Sequence, residues 1–237
     1  MLFAASSANA QVDWEAAPKN LQVLPDSISS SELRSTMRGY SAELGVNYTF
    51  CHDDSNGRRL SQIDFSSDAK PEKAVARLMM KMVREINGEY VSKVSHGVID
   101  GVPRVPVTCL TCHRGVRRPE QLAVIIAATV DSAGFDAARA KYSDLRNRHL
   151  GGMAYDFSQS SLNNLGYQLL EKGMTDEAIE VFKLNVEICP DDWNVHDCLA
   201  DGYLAAHDTM RSVVFSQRSL DLNPDNTASA KRLELLK

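Results

Sequence analysis

The chain has 237 residues, 43% of them hydrophobic and 24% charged, with a formal net charge of −5. Those totals are ordinary for a soluble globular protein of one large or two small domains. No run of about 18 apolar residues occurs, so no segment reads as a transmembrane helix. The charge is uneven: residues 1–118 carry 15 Lys and Arg against 13 Asp and Glu, and residues 119–237 carry 11 against 18. Neither part is basic enough for nucleic-acid binding. The change of sign places a domain boundary after residue 118, giving residues 11–118 and 119–237.

Met1 to Ala10 look like the tail of a secretory signal, with Ala8-Asn9-Ala10 as the cleavage pattern and Gln11 as the expected mature start. An ordered N-terminal segment is the alternative. An extended lead-in, Asn20 to Pro25, precedes a run of serines, of which Ser30 or Ser31 is expected to cap a helix starting near Glu32. Leu33, Met37, Tyr40 and Leu44 recur at helical spacing, and Gly45 ends the run. Val46-Asn47-Tyr48-Thr49-Phe50-Cys51-His52 follows directly.

After a polar loop, Pro71 opens a second helix, with Val75, Met79, Met82 and Ile86 on one face, Leu78 and Val83 beside it, and Gly88 at the expected C-cap. A loop containing Gly101, Pro103 and Pro106 leads to Cys109-Leu110-Thr111-Cys112-His113. Two cysteines two residues apart and followed at once by histidine are the attachment signal for a c-type haem. Two thiols on one helical turn reach the two vinyl groups of one porphyrin, and the adjacent imidazole sits under the iron. A redox dithiol or half of a zinc site are the alternatives. Each lacks its expected context, a βαβ unit for the first and a second ligand pair other than Cys51-His52 for the second. The order helix with methionine, loop, Cys-His occurs twice. In the first copy Tyr48 stands where the first cysteine would be.

Residues 19–118 resemble the cytochrome subunit family of photosynthetic reaction centres, above all its short two-haem relatives. The resemblance rests on Lys19-Asn20-Leu21-Gln22-Val23-Leu24-Pro25, Leu44-Gly45-Val46, Ala76-Arg77-Leu78-Met79-Met80-Lys81-Met82, Ile86-Asn87 and Val107-Thr108 through Arg114-Gly115. It implies a haem along each helix, with a methionine of that helix opposite the motif histidine. Met79 then pairs with His113 on the Cys109/Cys112 haem, and Met37 with His52 on a haem at Cys51. From the residues alone, Met82 and Met80 compete with Met79, because methionine on an apolar helical face is usually core filler. His96 is a further candidate for a sixth ligand. Tyr48 leaves three readings: a haem held by one thioether through Cys51, with Tyr48 filling the space near the unattached vinyl; a lost haem site; or a disulfide from Cys51. The retained helix, methionine and Cys-His pair favour the first, since a vanished haem leaves a large apolar hole.

Beyond Pro119 the pattern changes to helical hairpins. Leu165-Gly166, Gly173, Ala178, Phe182 and Pro190 match the tetratricopeptide pattern, and a second copy starts at Trp193 with Leu199, Ala200, Tyr203 and Pro224. Pro190 and Pro224 are 34 residues apart, the period of that repeat. Asn185 and Ser219 replace the usual alanines, His207 replaces a glycine, residues 122–148 look like a degenerate first pair, and residues 227–237 read as a cap. Cys189 and Cys198, nine residues apart, are either a disulfide or two buried thiols.

The expected fold is therefore mostly α: a multihaem c-type cytochrome domain followed by a tetratricopeptide solenoid. The expected function is electron transfer rather than enzymatic catalysis, by an exported protein of the periplasm or extracellular space. It carries two haem c groups, one of them with a single thioether bond, and serves redox protein partners. The repeats provide docking or self-assembly, with a rigid spacer or brace for the haem domain as the alternative. A subunit of a filamentous cytochrome assembly and a di-haem peroxidase are the competing readings, the second requiring one iron with an open position.

Overall fold

The computed structural model describes residues 18–57, 59–93, 98–99, 102–103 and 105–236. The proposed signal remnant, the start at Gln11, His96 and Gly101 lie outside the described residues. The chain forms two compact units, Met1–Pro119 and Glu120–Lys237. Among the described residues no helix is long and apolar enough to cross a membrane.

In the first unit, α1 spans Ser30–Leu44. Its cap is Ser29, not Ser30 or Ser31. The Glu32 N–H donates to Ser29 Oγ at 3.3 Å and the Ser29 N–H to Glu32 Oε2 at 2.9 Å, a reciprocal pair that only the serine three places before a glutamate can make. Gly45 ends the helix in the left-handed region at φ 61°. Its N–H reaches Ala42 O and that of Val46 reaches Ser41 O, which satisfies the last carbonyls. A single 3₁₀ turn, Tyr48–Phe50, carries the chain into Cys51 and His52. Pro71 opens α2, Pro71–Glu85. Gly88 does not cap it: the chain continues as a π turn, Ile86–Tyr90, and then a 3₁₀ turn. Tertiary bonding overrides the glycine there, since Asn87 Nδ2 donates to Val107 O at 2.7 Å and Asn87 Oδ1 accepts from the Val107 N–H at 2.9 Å. The short antiparallel strands β1, Val98–Ile99, and β2, Val102–Pro103, precede α3, Cys109–His113, which packs against α1.

The helices of the second unit are α4 (Leu122–His149), α5 (Gln159–Glu171), α6 (Thr175–Ile188), α7 (Trp193–Ala205), α8 (Thr209–Leu222) and α9 (Thr227–Leu235). The unit has a continuous apolar side-chain core drawn from α4 to α7. Three-residue turns fold α6 back on α5 and α8 back on α7, as short connections require of neighbouring helices. The α7–α8 pair starts 34 residues after the α5–α6 pair in both of its helices. Gly173 (φ 75°) and His207 (φ 59°) occupy the equivalent left-handed turn position, so His207 takes a conformation that glycine adopts without strain. Phe182, fully buried, fills the gap between α5 and α7, where Gly166 and Gly202 let it approach. The degenerate first pair differs from these hairpins: α4 breaks at one residue, Gly134 (φ 81°, ψ 175°), instead of at a turn. Cys189 and Cys198 are free thiols, the second buried.

Candidate haem site

A hundred-residue unit needs an apolar interior, yet among its described residues only Val23, Ile63 and Val116 are buried apolar side chains. A cavity of about 900 Å³ stands where that interior would be. Met37, Tyr40 and Leu44 of α1, Tyr48, Phe50, Cys51 and His52 in and just after the following turn, Phe65 of the loop before α2, Met79 and Met80 of α2, and Cys109 and His113 of α3 all line it. Its volume is at the upper end for small-molecule and cofactor sites.

The five residues of α3 are held from both sides. The Leu110 N–H donates to Glu43 Oε2 at 3.2 Å and the Gly115 N–H to Glu43 O at 3.1 Å, so the end of α1 sets the position of the Cys-x-x-Cys-His turn. Arg114 closes the turn in the left-handed region at φ 51°. His113 Nδ1 lies 3.1 Å from Val116 O. A carbonyl only accepts, so Nδ1 is the protonated nitrogen in this contact and Nε2 is the one left for a metal, the arrangement by which a second hydrogen bond orients a metal-binding imidazole.

His52 is placed by the 3₁₀ turn, its N–H bonding Tyr48 O at 2.9 Å. Its ring meets Phe65 edge-on at 5.0 Å, and Tyr48 meets the same ring at 6.2 Å. Burial, then the nearby Lys73 cation, pushes its pKa down to about 4, so the imidazole is neutral at pH 7. Its Nδ1 is buried without a hydrogen-bond partner. A neutral imidazole with an orphaned ring nitrogen in an apolar cavity suits a metal-bound group.

Seven of the eight residues expected from the sequence line this cavity: Met37, Tyr48, Cys51, His52, Met79, Cys109 and His113. Cys112 is exposed and lies outside the lining. Of the competing methionines, Met80 lines the cavity, and Met82 is 41% exposed and outside the lining. Among the described residues no group of three or more His, Cys, Asp or Glu is arranged to hold a metal ion, as a zinc site would need. Lys73, Arg77 and Asp68, which meet at the cavity wall, had no signal in the sequence because they gain a joint meaning only when α2 folds against the loop before it. The thiols, the histidine with Nε2 left for a metal and the apolar wall fit a covalently attached haem.

The sequence matches the family described as "Photosynthetic reaction centre cytochrome C subunit" over residues 20–181, and the chain belongs to that family. The match continues past residue 118 through α4 and α5 into α6, further than the resemblance read from the motifs. Membership implies a c-type cytochrome with covalently bound haem c. A relative is cytochrome c-554 of Chloroflexus aurantiacus (strain ATCC 29366 / DSM 635 / J-10-fl), 34% identical over 95 residues. That stretch is 40% of this chain and 20% of the relative, so the chain spans about a fifth of that protein's length.

Proposed function

We propose that this chain is an exported c-type cytochrome, periplasmic or extracellular, that carries electrons through two haems. One is bonded to Cys109 and Cys112, with His113 and Met79 on the iron. The other is held by a single thioether at Cys51, with His52 and Met37 on the iron and Tyr48 beside the unattached vinyl. The helical hairpins of the second unit are tetratricopeptide repeats that dock redox protein partners or further copies of the chain. The observation that supports the reading is the scarcity of buried apolar side chains among the described residues of the first unit, where a cavity is lined by both motif histidines, by Met37 of α1 and by Met79 and Met80 of α2.

Bound haem supplies the one-electron iron couple. The chain's own residues supply attachment, orientation and exclusion of water. Thiols fix the group, the Val116 carbonyl holds His113 in one tautomer, and Leu44, Phe50 and Phe65 keep the wall apolar. Thioether ligands raise the reduction potential relative to a second imidazole.

The test is the intact mass of the full chain matured with the haem-attachment machinery, read with its Soret absorption. Two added haems are expected in the wild type and one after Cys51→Ala. A wild type carrying one haem overturns the Cys51 site. A colourless, correctly matured protein overturns the electron-carrier reading altogether.

A further inference from the structure

The cavity wall is strongly cationic for an apolar site. Lys19, Arg34, Lys73, Arg77, Arg117 and Arg118 line it, against Asp64 and Glu72. The imbalance is sharpest at one corner. Lys73 is only 8% exposed, and its Nζ donates to Phe65 O at 3.1 Å and Ser67 O at 2.7 Å and pairs with Asp68 Oδ1 at 3.1 Å. All three of its protons therefore have acceptors. The Arg77 side chain is 15% exposed; Nη1 pairs with the same Asp68 Oδ1 at 2.9 Å, and Nη2 donates to Asn20 O at 3.1 Å.

Asp68 cannot balance both cations. Its side chain is 47% exposed, and it also accepts from Asn20 Nδ2 at 2.9 Å and Gln22 Nε2 at 3.3 Å. Buried Lys73 and partly buried Arg77 pair with one half-exposed carboxylate; Asp64, also within electrostatic reach of Lys73, is engaged by the Ser66 and Ser67 N–H groups, so this cationic corner of a low-dielectric space favours a further anion. A guanidinium has five donors in a planar fork that matches a carboxylate. The contacts with Asp68 and Asn20 leave donors for a further acceptor in the cavity that Arg77 lines.

We infer that Arg77, with Lys73 behind it, binds a carboxylate of the cavity's ligand, which on the reading above is a propionate of the haem. The same chemistry is met by a small anion from solution, and the experiment separates the two. In the haem-loaded full chain, Arg77→Gln is expected to keep the haem mass and to lower the midpoint potential of one haem, because the oxidised iron is no longer opposed by the guanidinium. It also shifts that haem's propionate bending band in resonance Raman spectra. Arg77→Lys restores most of the potential. Asp68→Asn, at an exposed position, raises it, and this variant carries the test if Arg77→Gln does not fold. Inorganic phosphate at constant ionic strength leaves the wild-type potential unchanged. A wild-type potential that tracks phosphate and loses this dependence in Arg77→Gln assigns the corner to a solution anion and overturns the propionate. An unchanged potential and Raman band in Arg77→Gln, or no rise in Asp68→Asn, reduce Arg77 to a structural cation and overturn the inference while the haem mass stands. A wild type without haem mass overturns the functional reading and this inference together.

Discussion

Gly45 and Gly115 meet backbone to backbone: a Cβ on Gly45 would overlap the Gly115 carbonyl oxygen. The contact joins the C-cap of α1 to the chain just after the Cys-x-x-Cys-His turn. Gly45 is needed twice, for its left-handed φ of 61° and for this approach. Gly45→Ala is expected to destabilise the first unit by at least about 2 kcal/mol, from the left-handed conformation plus overpacking. Gly39→Ala, in the same helix with open space around its Cβ, is expected to stabilise it by about 0.5–1 kcal/mol. Urea unfolding of the haem-loaded protein, followed at the Soret band, compares the two. Equal effects would remove the Gly45–Gly115 contact from the account.

Phe182 is the wedge of the second unit. A Cβ on Gly166 would overlap its ring, and Gly202 faces its other edge. Gly166→Ala is expected to cost about 1–3 kcal/mol by overpacking, and Phe182→Ala about 3–5 kcal/mol through the cavity left behind. The double variant Gly166→Ala/Phe182→Leu should cost less than the sum of its parts, because the smaller side chain makes room for the new methyl. Thermal unfolding by circular dichroism checks this, and strict additivity would count against the wedge.

Arg232 of α9 ties the last helix to α7. Its Nη1 pairs with Asp197 Oδ1 at 2.9 Å and donates to Ser216 Oγ at 2.9 Å, Nη2 pairs with Asp201, and Asp201 Oδ2 accepts from Tyr167 at 2.8 Å. Both Arg232 and Asp197 are buried. Arg232→Ala leaves Asp197 buried and uncompensated, with an expected loss of about 3–5 kcal/mol. Arg232→Met/Asp197→Leu removes both charges and should recover most of that loss. The comparison is read from urea midpoints, and a double variant as unstable as the single one would contradict it.

Asp68 gives an acid signature. The Asn20 amide, then Lys73 and Arg77, hold its carboxyl down at about 2, against an ordinary value of 3.8. The folded value lies below the unfolded one, so the unfolded chain takes up the proton first. The contribution of Asp68 is complete above about pH 4 and disappears as the pH falls towards about 2. Asp68→Asn should therefore lose stability relative to wild type at neutral pH, and the gap should close across that interval. A gap independent of pH would show that the carboxylate charge is not what holds the corner together.

Much of the local structure was legible in the sequence. The apolar stripe of Leu33, Met37, Tyr40 and Leu44 and the glycine after it define α1, Pro71 opens α2, and the 34-residue spacing of Pro190 and Pro224 recurs in the helix starts of the last two hairpins. The failures have different causes, one local and the others tertiary. Ser29 caps α1 because its partner is Glu32, which the serine run alone does not reveal. Gly88 sits in a π turn because Asn87 is bonded to Val107, twenty residues away. Met80 lines the cavity and Met82 is exposed, although the helical stripe grouped Met82 with Met79.

By itself, the sequence determined which chemistry this protein has available. Cys109, Cys112 and His113 are adjacent on one turn, and the periodicity of each helix is a property of a few neighbouring residues. Only the tertiary structure decided that α1, α2 and the two Cys-His turns surround one cavity in place of a side-chain interior, that His113 is held in one tautomer by Val116, and that Lys73 and Arg77 share a single carboxylate. The first of those relationships joins residues up to about eighty positions apart. Their energies come from burial and charge compensation, which exist only once the separate segments have been brought together.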